Sequence, residues 1–209
     1  MKLEDITIEV ASEKHLVYVD KILKAIEEAA QVRGTGIARR KPDYIARKIE
    51  EAKAVIALHG EEFAGFSYIE TWEHKRYVTT SGLIVRPEFR GLGIAKKIKD
   101  LTFSLARVRW PNAKIFSLTS GAAVMSMNTR LGYKPVTFAE LTNDDAFWKG
   151  CEGCVNVDIL KRTDRKYCIC TGMLFDPEEH LPAKIPQDVL DRIAKLEENS
   201  EDNEEKKEQ

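Results

Sequence analysis

Residues 83–95 read LIVRPEFRGLGIA, and they decide the fold: an apolar strand runs into a glycine-containing turn and then directly into a helix. Glycines let a backbone approach an anion closely, and the free amides and dipole of a helix start attract negative charge. Arg90 in the turn, with Lys96 and Lys97 just beyond it, can add charge-assisted contacts. The stretch therefore predicts a phosphate-binding loop.

Two common phosphate-binding patterns fail on this turn. A dinucleotide fingerprint needs a small residue at its third conserved position, where this chain has Lys96. A P-loop needs Gly-Lys followed by Ser or Thr, which does not occur here. The pattern that fits is R-x-x-G-x-A, formed by Arg90, Gly93 and Ala95 between a strand and a helix. In this the chain resembles the acyl-CoA loop of the GNAT family of N-acetyltransferases.

The order of predicted elements around the loop agrees with that family. Hydrophobic spacing predicts a strand, two helices, three strands, a helix, a strand, a helix and a strand over roughly residues 6–138. The resemblance implies an α/β (α+β) fold of the GNAT type, with a mixed, mostly antiparallel central sheet that is splayed in the middle and flanked by helices. In such a fold the acyl-CoA arm enters the gap between the splayed strands.

Length and composition are consistent with one such domain and two additions. The chain has 209 residues, of which 43% are hydrophobic, enough for one good core. We expect a GNAT core over 1–138, a cysteine-containing C-terminal extension over 139–196 packed on it, and a disordered charged tail over 197–209. Within the extension, the pattern predicts a short helix over 143–150, a strand over 167–174 and an amphipathic helix over 186–196.

Charge and hydropathy argue against several classes of function. With 33 basic and 34 acidic residues, the chain offers no electrostatic case for nucleic acid as a partner. No apolar run approaches the length of a membrane span, and the acidic start lacks an apolar signal core. We therefore expect a cytoplasmic protein whose four cysteines are thiols or metal ligands rather than disulfides.

The resemblance assigns the binding of acyl-CoA to the loop and to the strand before it. Loop amides hold the pyrophosphate, and the strand edge at residues 83–85 pairs with the pantetheine arm, where a backbone N–H also polarises the thioester carbonyl. The residues predicted to contact acetyl-CoA are Leu83, Ile84, Val85, Arg90, Gly91, Leu92, Gly93, Ile94, Ala95, Lys96 and Asn128. The alternative is an ordinary strand–turn–helix without a ligand.

Asn128 marks a departure from the family. Many members carry a tyrosine four residues before the glycine that ends the helix after the fifth strand, and counting back from Gly132 gives Asn128. Asparagine can hydrogen-bond the sulfur or the pantetheine but cannot act as an acid. Water, Ser126 or Tyr133 could protonate the departing thiolate, or no acid is needed. Tyr133 also fits a core position.

The general base must come from a strand that flanks the gap. Glu70, Glu73 and His74 lie at the end of the third strand and in the turn after it. We select Glu70 as the catalytic base, acting directly or through a water, although a glutamate there is equally consistent with a solvated strand end. His74 titrates near neutrality but has Lys75 and Arg76 beside it, which suits an exposed turn.

The loop between the first two helices lines the acceptor pocket in this family. Here it is basic, with Arg33, Arg39 and Arg40 around two glycines. Arginine binds carboxylates bidentately, so the loop favours an amino acid such as glutamate over a polyamine, which would require acidic walls. A solvated basic loop is the alternative. Thr119 and Ser120, just past the fifth strand, can also contact the acceptor.

The four cysteines fall within twenty residues. Cys151 and Cys154 form C-x-x-C, and Cys168 and Cys170 form C-x-C thirteen residues later. Four thiolates can bind zinc tetrahedrally, and a structural zinc would stabilise a segment that lacks a regular core. Buried free cysteines are the alternative. A redox role is disfavoured because no thioredoxin-like pattern surrounds the C-x-x-C.

These features predict an enzyme that moves an acetyl or other short acyl group from acyl-CoA to a primary amine. RGTGIA at 33–38, SGLIV at 81–85, LGYKPVT at 131–137 and FWKGC at 147–151 are similar to a GNAT subgroup associated with bacterial arginine biosynthesis. That similarity implies the α-amine of glutamate or a related amino acid as acceptor, with acetyl-CoA as donor and succinyl-CoA as the alternative donor.

Two other functions stay open at this point. One is an acetyltransferase for a protein N-terminus, a lysine, an aminoglycoside or a polyamine. The other is a catalytically silent acyl-CoA-binding regulatory protein, which the asparagine at position 128 favours. GNAT proteins often dimerise, so a homodimer is a further expectation of the resemblance.

Overall fold

The computed structural model describes residues 2–36, 39–180, 187, 190 and 191. The helix predicted over 186–196 falls almost wholly outside the described residues, and the tail predicted over 197–209 falls entirely outside them. Among the described residues, no helix is long and apolar enough to cross a membrane.

One sheet organises the described chain. Its strands are β1 Thr7–Val10, β2 Ala54–His59, β3 Glu62–Trp72, β4 Tyr77–Val85, β5 Lys114–Thr119, β6 Lys134–Val136 and β7 Thr171–Phe175. They lie in the spatial order β1-β2-β3-β4-β5-β7-β6. Every pairing between these strands is antiparallel except that of β4 with β5. The predicted mixed, mostly antiparallel sheet is confirmed.

Helices cover both faces of the sheet because its central strands are apolar on both sides. The helices are α1 Val19–Arg33, α2 Pro42–Glu50, α3 Ile94–Arg109, α4 Ala122–Arg130, α5 Asp145–Lys149 and α6 Val157–Arg162. One core lies under α1 and α2 and includes Ile22 and Ile49, whereas α3 covers another that includes Ile98 and Leu105. Proline at the first position of α2 fits its start, since that position needs no amide donor.

The sheet opens between β4 and β5. These parallel strands pair only from Tyr77 opposite Lys114 to Thr79 opposite Phe116. Beyond that point they have no pairing, so a gap separates residues 80–85 from 117–119. The pairing of β4 with β3 also shifts register near Gly82, whose φ is +66°. The splayed centre predicted from the sequence is confirmed.

The cysteine-containing segment is inserted between two strands of the sheet. After β6 the chain forms α5 and α6 and then returns as β7, which lies between β5 and β6. A small core that includes Phe116, Phe138 and Trp148 holds this segment against the sheet. The division at residue 138 therefore separates two neighbouring strands of one sheet. A short strand such as β6 does not reveal its partner in the sequence, because pairing depends on residues far along the chain.

Candidate active site

The glycine turn before α3 presents open backbone. Gly91 and Gly93 both have φ of +82°, a conformation that favours glycine. A Cβ added at Gly91 would meet nothing within 4 Å, and one at Gly93 would meet only Leu3 Cδ2, at 4.0 Å. Arg90 is exposed, and its Nε donates to the Val85 carbonyl at 3.2 Å. The turn thus leaves an accessible concave surface at a helix start, which suits an anion.

A cavity of about 240 Å³ lies where β4 and β5 separate. Residues 79–84 of β4 form one wall, and residues 117–121 form the opposite wall. The chain between α1 and α2 supplies Thr35, whose Oγ1 is 3.0 Å from Ser120 Oγ. The inserted segment supplies Asn156, whose Nδ2 donates to the Gly34 carbonyl at 3.1 Å. The loop and the insert therefore enclose the cavity that the splayed strands begin.

Many of the residues predicted from the sequence line this cavity. They are Leu83, Ile84, Arg33, Arg40, Thr119, Ser120, Cys151, Cys154, Cys168 and Cys170. The phosphate-loop residues Val85, Arg90, Gly91, Leu92, Gly93, Ile94, Ala95 and Lys96 lie outside its lining, as do Arg39, Glu70 and Asn128.

The charged side chains that line the cavity are all basic in the part of the chain described. They are Arg33, Arg40 and Lys99, and no carboxylate joins them. Arg40 is held in place by its Nε–H, which donates to the Tyr68 hydroxyl at 3.1 Å. The Tyr68 ring lies where a side chain on Gly82 would be, with Cε1 2.5 Å from an added Cβ. The glycine in β4 thus allows the tyrosine that orients Arg40.

Arg39 differs from its neighbour. Its side chain is 90% exposed, and its Nε lies 3.9 Å from the Glu27 carboxylate. Arg39 therefore lies on the surface, so the structure separates two arginines that the sequence could not distinguish.

Glu70, the base selected from the sequence, is engaged elsewhere. Its carboxylate forms an ion pair with the buried Lys48 ammonium and accepts a hydrogen bond from the Tyr44 hydroxyl at 3.2 Å. Glu73 accepts from the Thr142 hydroxyl at 2.7 Å and from the Asn143 amide at 2.6 Å, so it anchors the inserted segment. The structure does not bring either carboxylate to the cavity.

Asn128 does not line the cavity itself but contacts a residue that does. It is fully buried, and its Nδ2 donates to Ser117 Oγ, which lines the cavity, at 2.7 Å. Tyr133 is 1% exposed and packs in the core under α3, where burial raises the pKa of its phenol. Ser126 is exposed on α4. None of these three groups lines the cavity itself.

The four cysteines come together on the wall formed by the inserted segment. All four are free and half-buried. Burial, reinforced by neighbouring thiols, raises the pKa of Cys151 to about 11 and that of Cys170 to about 12. Within the described ranges, no group of three or more histidine, cysteine or acidic side chains could hold a metal ion. The predicted zinc site therefore gains no support, and these cysteines instead line a ligand cavity.

Sequence reasoning missed the polar residues at the bottom of the gap. Thr79, Thr80 and Ser117 lie in β4 and β5, and Lys99 reaches the cavity from α3. The sequence does contain a signal for Lys99. Residues three or four positions apart share one face of a helix, and the face that carries Lys99 also carries Ala95, Thr102 and Ala106. A lysine among small residues that face a sheet is unusual.

The splayed sheet and the open glycine turn are two features that the resemblance to the GNAT family implied. Residues 22–133, more than half of the chain, match the family model described as the acetyltransferase (GNAT) family. The chain therefore belongs to the GNAT family. No curated protein matched the sequence.

Solved structures show the same fold at low identity. N-acetylglutamate synthase from Neisseria gonorrhoeae, complexed with coenzyme A and N-acetyl-glutamate, is similar with a TM-score of 0.58 and 14% identity. The match covers 82% of this chain but only 35% of that chain, so this protein spans about a third of the synthase. The yncA protein from Salmonella typhimurium, with acetyl-CoA, gives a TM-score of 0.57 at 15% identity, covering 87% of this chain and 99% of that chain.

The ribosomal-protein-S18-alanine N-acetyltransferase from Escherichia coli is also similar. Its TM-score is 0.51 at 12% identity, with 87% of this chain and 98% of that chain covered. At such identities the three likenesses show the fold alone.

Proposed function

We propose that the protein transfers an acetyl group from acetyl-CoA to the α-amine of an amino acid that carries further carboxylate, with glutamate as the first candidate. Succinyl-CoA is the alternative donor. The observation that carries this proposal is the charge of the cavity: two arginines line it, and no carboxylate does among the described residues. Such walls attract a dianionic acceptor and repel a polyamine.

The donor would lie along the path that the fold leaves open. The exposed amides at Gly91 and Gly93 would bind the pyrophosphate, and the unpaired edge of β4 at Leu83 would pair with the pantetheine arm. This direction points the thioester at the place where β4 and β5 separate. A backbone N–H of the irregular strand near Gly82 would polarise its carbonyl.

The acceptor would enter from the opposite side. Arg40, oriented by Tyr68, and Arg33, at the end of α1, would hold carboxylates and direct the amine towards the thioester. Since no described carboxylate lines the cavity, a water would take the proton from the ammonium. The synthase from Neisseria gonorrhoeae, which was solved with N-acetyl-glutamate, is consistent with this acceptor.

Two alternatives have specific support. The similarity to the S18-alanine N-acetyltransferase favours a protein N-terminus as acceptor. Asparagine in place of the tyrosine at position 128 favours a silent acyl-CoA-binding regulator. A cytoplasmic location and a homodimer remain predictions of the sequence, for which cell fractionation and analytical ultracentrifugation are the tests.

The deciding experiment is release of free thiol from acetyl-CoA and from succinyl-CoA across amino acids, polyamines and peptides. We expect saturable turnover with glutamate or another dicarboxylic amino acid. Turnover with a peptide alone would identify a protein acceptor, and donor binding without turnover would identify a regulator.

A matched pair of variants tests the arginine clamp. Arg40→Ala should raise the acceptor KM by about 10- to 100-fold, since a charged hydrogen bond to carboxylate contributes about 1.5–3 kcal/mol, and should leave the KM for acetyl-CoA unchanged. Arg39→Ala, which removes the exposed neighbour, should change neither value more than about twofold. Equal effects of the two substitutions would contradict the clamp.

A further inference from the structure

Lys99 is a buried lysine that the proposed function leaves without a role. Its Nζ donates to Thr80 Oγ1 at 2.6 Å and lies 5.0 Å from the centroid of the Tyr133 ring. The residue is 2% exposed yet lines the cavity. No carboxylate among the described residues pairs with it, and burial lowers the pKa of its ammonium to about 7. A buried amine without a counter-ion is costly, so a merely structural position would favour an apolar residue.

The position of Thr80 places this amine at the bottom of the gap. Thr80 follows Thr79, the last residue of β4 that pairs with β5. Ser117 occupies the corresponding position on β5, directly after Phe116. Lys99 therefore reaches the point where the two strands separate, from the face of the sheet that α3 covers. The proposed function directs the thioester to this point.

The proposed function leaves the departing thiolate without an assigned proton donor. Asn128 cannot act as an acid, and burial raises the pKa of the Tyr133 phenol. Of the cavity thiols, Cys151 and Cys170 have raised pKa values, which makes them weak acids. An ammonium that titrates near neutrality is better matched to general acid catalysis.

We propose that the Lys99 ammonium protonates the sulfur of coenzyme A as the thiolate leaves. The acceptor nitrogen, having lost one proton to water, adds to the thioester carbonyl and forms a tetrahedral intermediate. When this collapses, the C–S bond breaks, its electron pair goes to sulfur, and Lys99 Nζ transfers a proton to that sulfur. The acceptor nitrogen then loses its second proton, which returns through water to Lys99 and restores the ammonium of that residue. The products are the amide, free coenzyme A thiol and one released proton.

This inference rests on the acyl transfer of the proposed function but not on the identity of the acceptor. Addition of water to the thioester expels the same thiolate. Thiol release should therefore be measured both with an acceptor and with buffer alone. A rate that depends on Lys99 without any acceptor supports the role of Lys99 even if glutamate is the wrong substrate.

The test compares Lys99→Met, which keeps the length and removes the proton, with Lys99→Arg, which keeps a charge. At saturating acetyl-CoA, Lys99→Met should lower kcat by about 100-fold, the typical contribution of a general acid, while calorimetry gives a donor Kd within about threefold of the wild type. The wild-type rate should fall as pH rises through about 7, since the acid form is lost. Lys99→Met should lose this alkaline decline, and Lys99→Arg should move it to higher pH.

Other groups could also produce an alkaline decline. The four cysteines line the same cavity, and Tyr133 packs against Lys99. All five are still present in Lys99→Met, so a decline that they cause would survive the substitution.

Thr80→Val provides a second variant if Lys99→Met does not fold, which circular dichroism would detect. It removes the acceptor of the ammonium hydrogen bond while keeping the shape, so the alkaline decline should move to lower pH. Unchanged kcat and an unchanged pH profile in Lys99→Met would overturn the proposal. So would a loss confined to acetyl-CoA binding, because that would make Lys99 a donor-binding residue. Absence of thiol release from the wild type under both conditions would overturn the acyl transfer as well.

Discussion

Each face of the sheet buries a lysine, and the two lysines are stabilised differently. Lys48 of α2 is 3% exposed, and its ammonium forms an ion pair with Glu70, which also accepts from Tyr44. Lys99 of α3 is 2% exposed, and within the described part of the chain its ammonium contacts the Thr80 hydroxyl and the face of Tyr133 but no carboxylate. A paired buried charge is a common structural feature, whereas an unpaired one that lines a cavity indicates chemistry.

The contacts around the two lysines also differ. On the Lys48 side, contacts run continuously from Tyr44 to Arg40. Tyr44 packs edge-on against Tyr68, with ring centroids 5.7 Å apart, and the Tyr68 hydroxyl accepts a hydrogen bond from Arg40. Glu70 is therefore linked to Arg40 through Tyr44 and Tyr68. The Lys99 side places its charged group at the cavity directly.

The largest effect should follow from breaking the paired lysine. Lys48→Met leaves the partly buried Glu70 carboxylate, whose side chain is 16% exposed, without its counter-ion, so the free energy of unfolding should fall by about 3 kcal/mol. Urea denaturation followed by circular dichroism measures this. The double variant with Glu70→Leu is the control and should recover most of the loss, because both charges are then removed. A loss below about 1 kcal/mol would show that the pair is effectively solvated.

Substitution of Lys99 should change the free energy of unfolding in the opposite direction. Lys99→Met should raise the free energy of unfolding by about 1–4 kcal/mol at pH 6, since it removes a buried charge that lacks a counter-ion. Burial lowers the pKa of Lys99 from 10.5 to about 7, so between these values the unfolded state binds more protons and the wild type gains stability as pH rises. The advantage of the variant should therefore shrink between pH 7 and pH 10.5. An advantage that is constant over this range would contradict the burial of the ammonium.

A smaller effect on catalysis is expected from Glu70. Because its carboxylate is bound to Lys48 and lies outside the cavity lining, Glu70→Gln should change kcat by less than about threefold, whereas loss of a general base costs about 100-fold or more. Steady-state kinetics at saturating donor and acceptor make the comparison. A 100-fold loss of kcat in a folded variant would restore Glu70 as the base predicted from the sequence.

The smallest effect is expected when a cysteine of the cavity is substituted, because we expect little bound zinc. Elemental analysis of the purified protein should find zinc well below one equivalent per chain, because the described cysteines are not arranged as a metal site. Cys154→Ser should accordingly leave the melting temperature nearly unchanged. One zinc per chain, lost in that variant, would establish the metal site that the cysteine spacing predicts.

The sequence predicted the parts of the site that depend on neighbours along the chain. The turn with Arg90, Gly91 and Gly93 forms locally, since the φ of the glycines and the start of α3 follow from residue types a few positions apart. The basic chain between α1 and α2 was recognised for the same reason. The prediction failed to separate Arg39 from Arg40, because consecutive residues in a loop can point in opposite directions.

Contacts between residues that are far apart in the chain could not be predicted from the sequence. Lys99 meets Thr80 across 19 positions, and Glu70 meets Tyr44 across 26. Lys96 and Lys97 are exposed, whereas Lys99 is buried, and only its helical row of small residues hints at that difference in the sequence. Which face of α3 contacts the sheet decides that difference.

The amino-acid sequence by itself determined the family, the order of elements and the glycine turn before α3, because periodicity and turn chemistry are properties of short segments. Tertiary structure alone decided that the cysteines line a cavity, that Glu70 is occupied by Lys48, and that Lys99 reaches the gap. The physical reason is that the charge state and the role of a side chain depend on burial and on its partners. The fold sets both, by bringing together residues that are far apart in the chain.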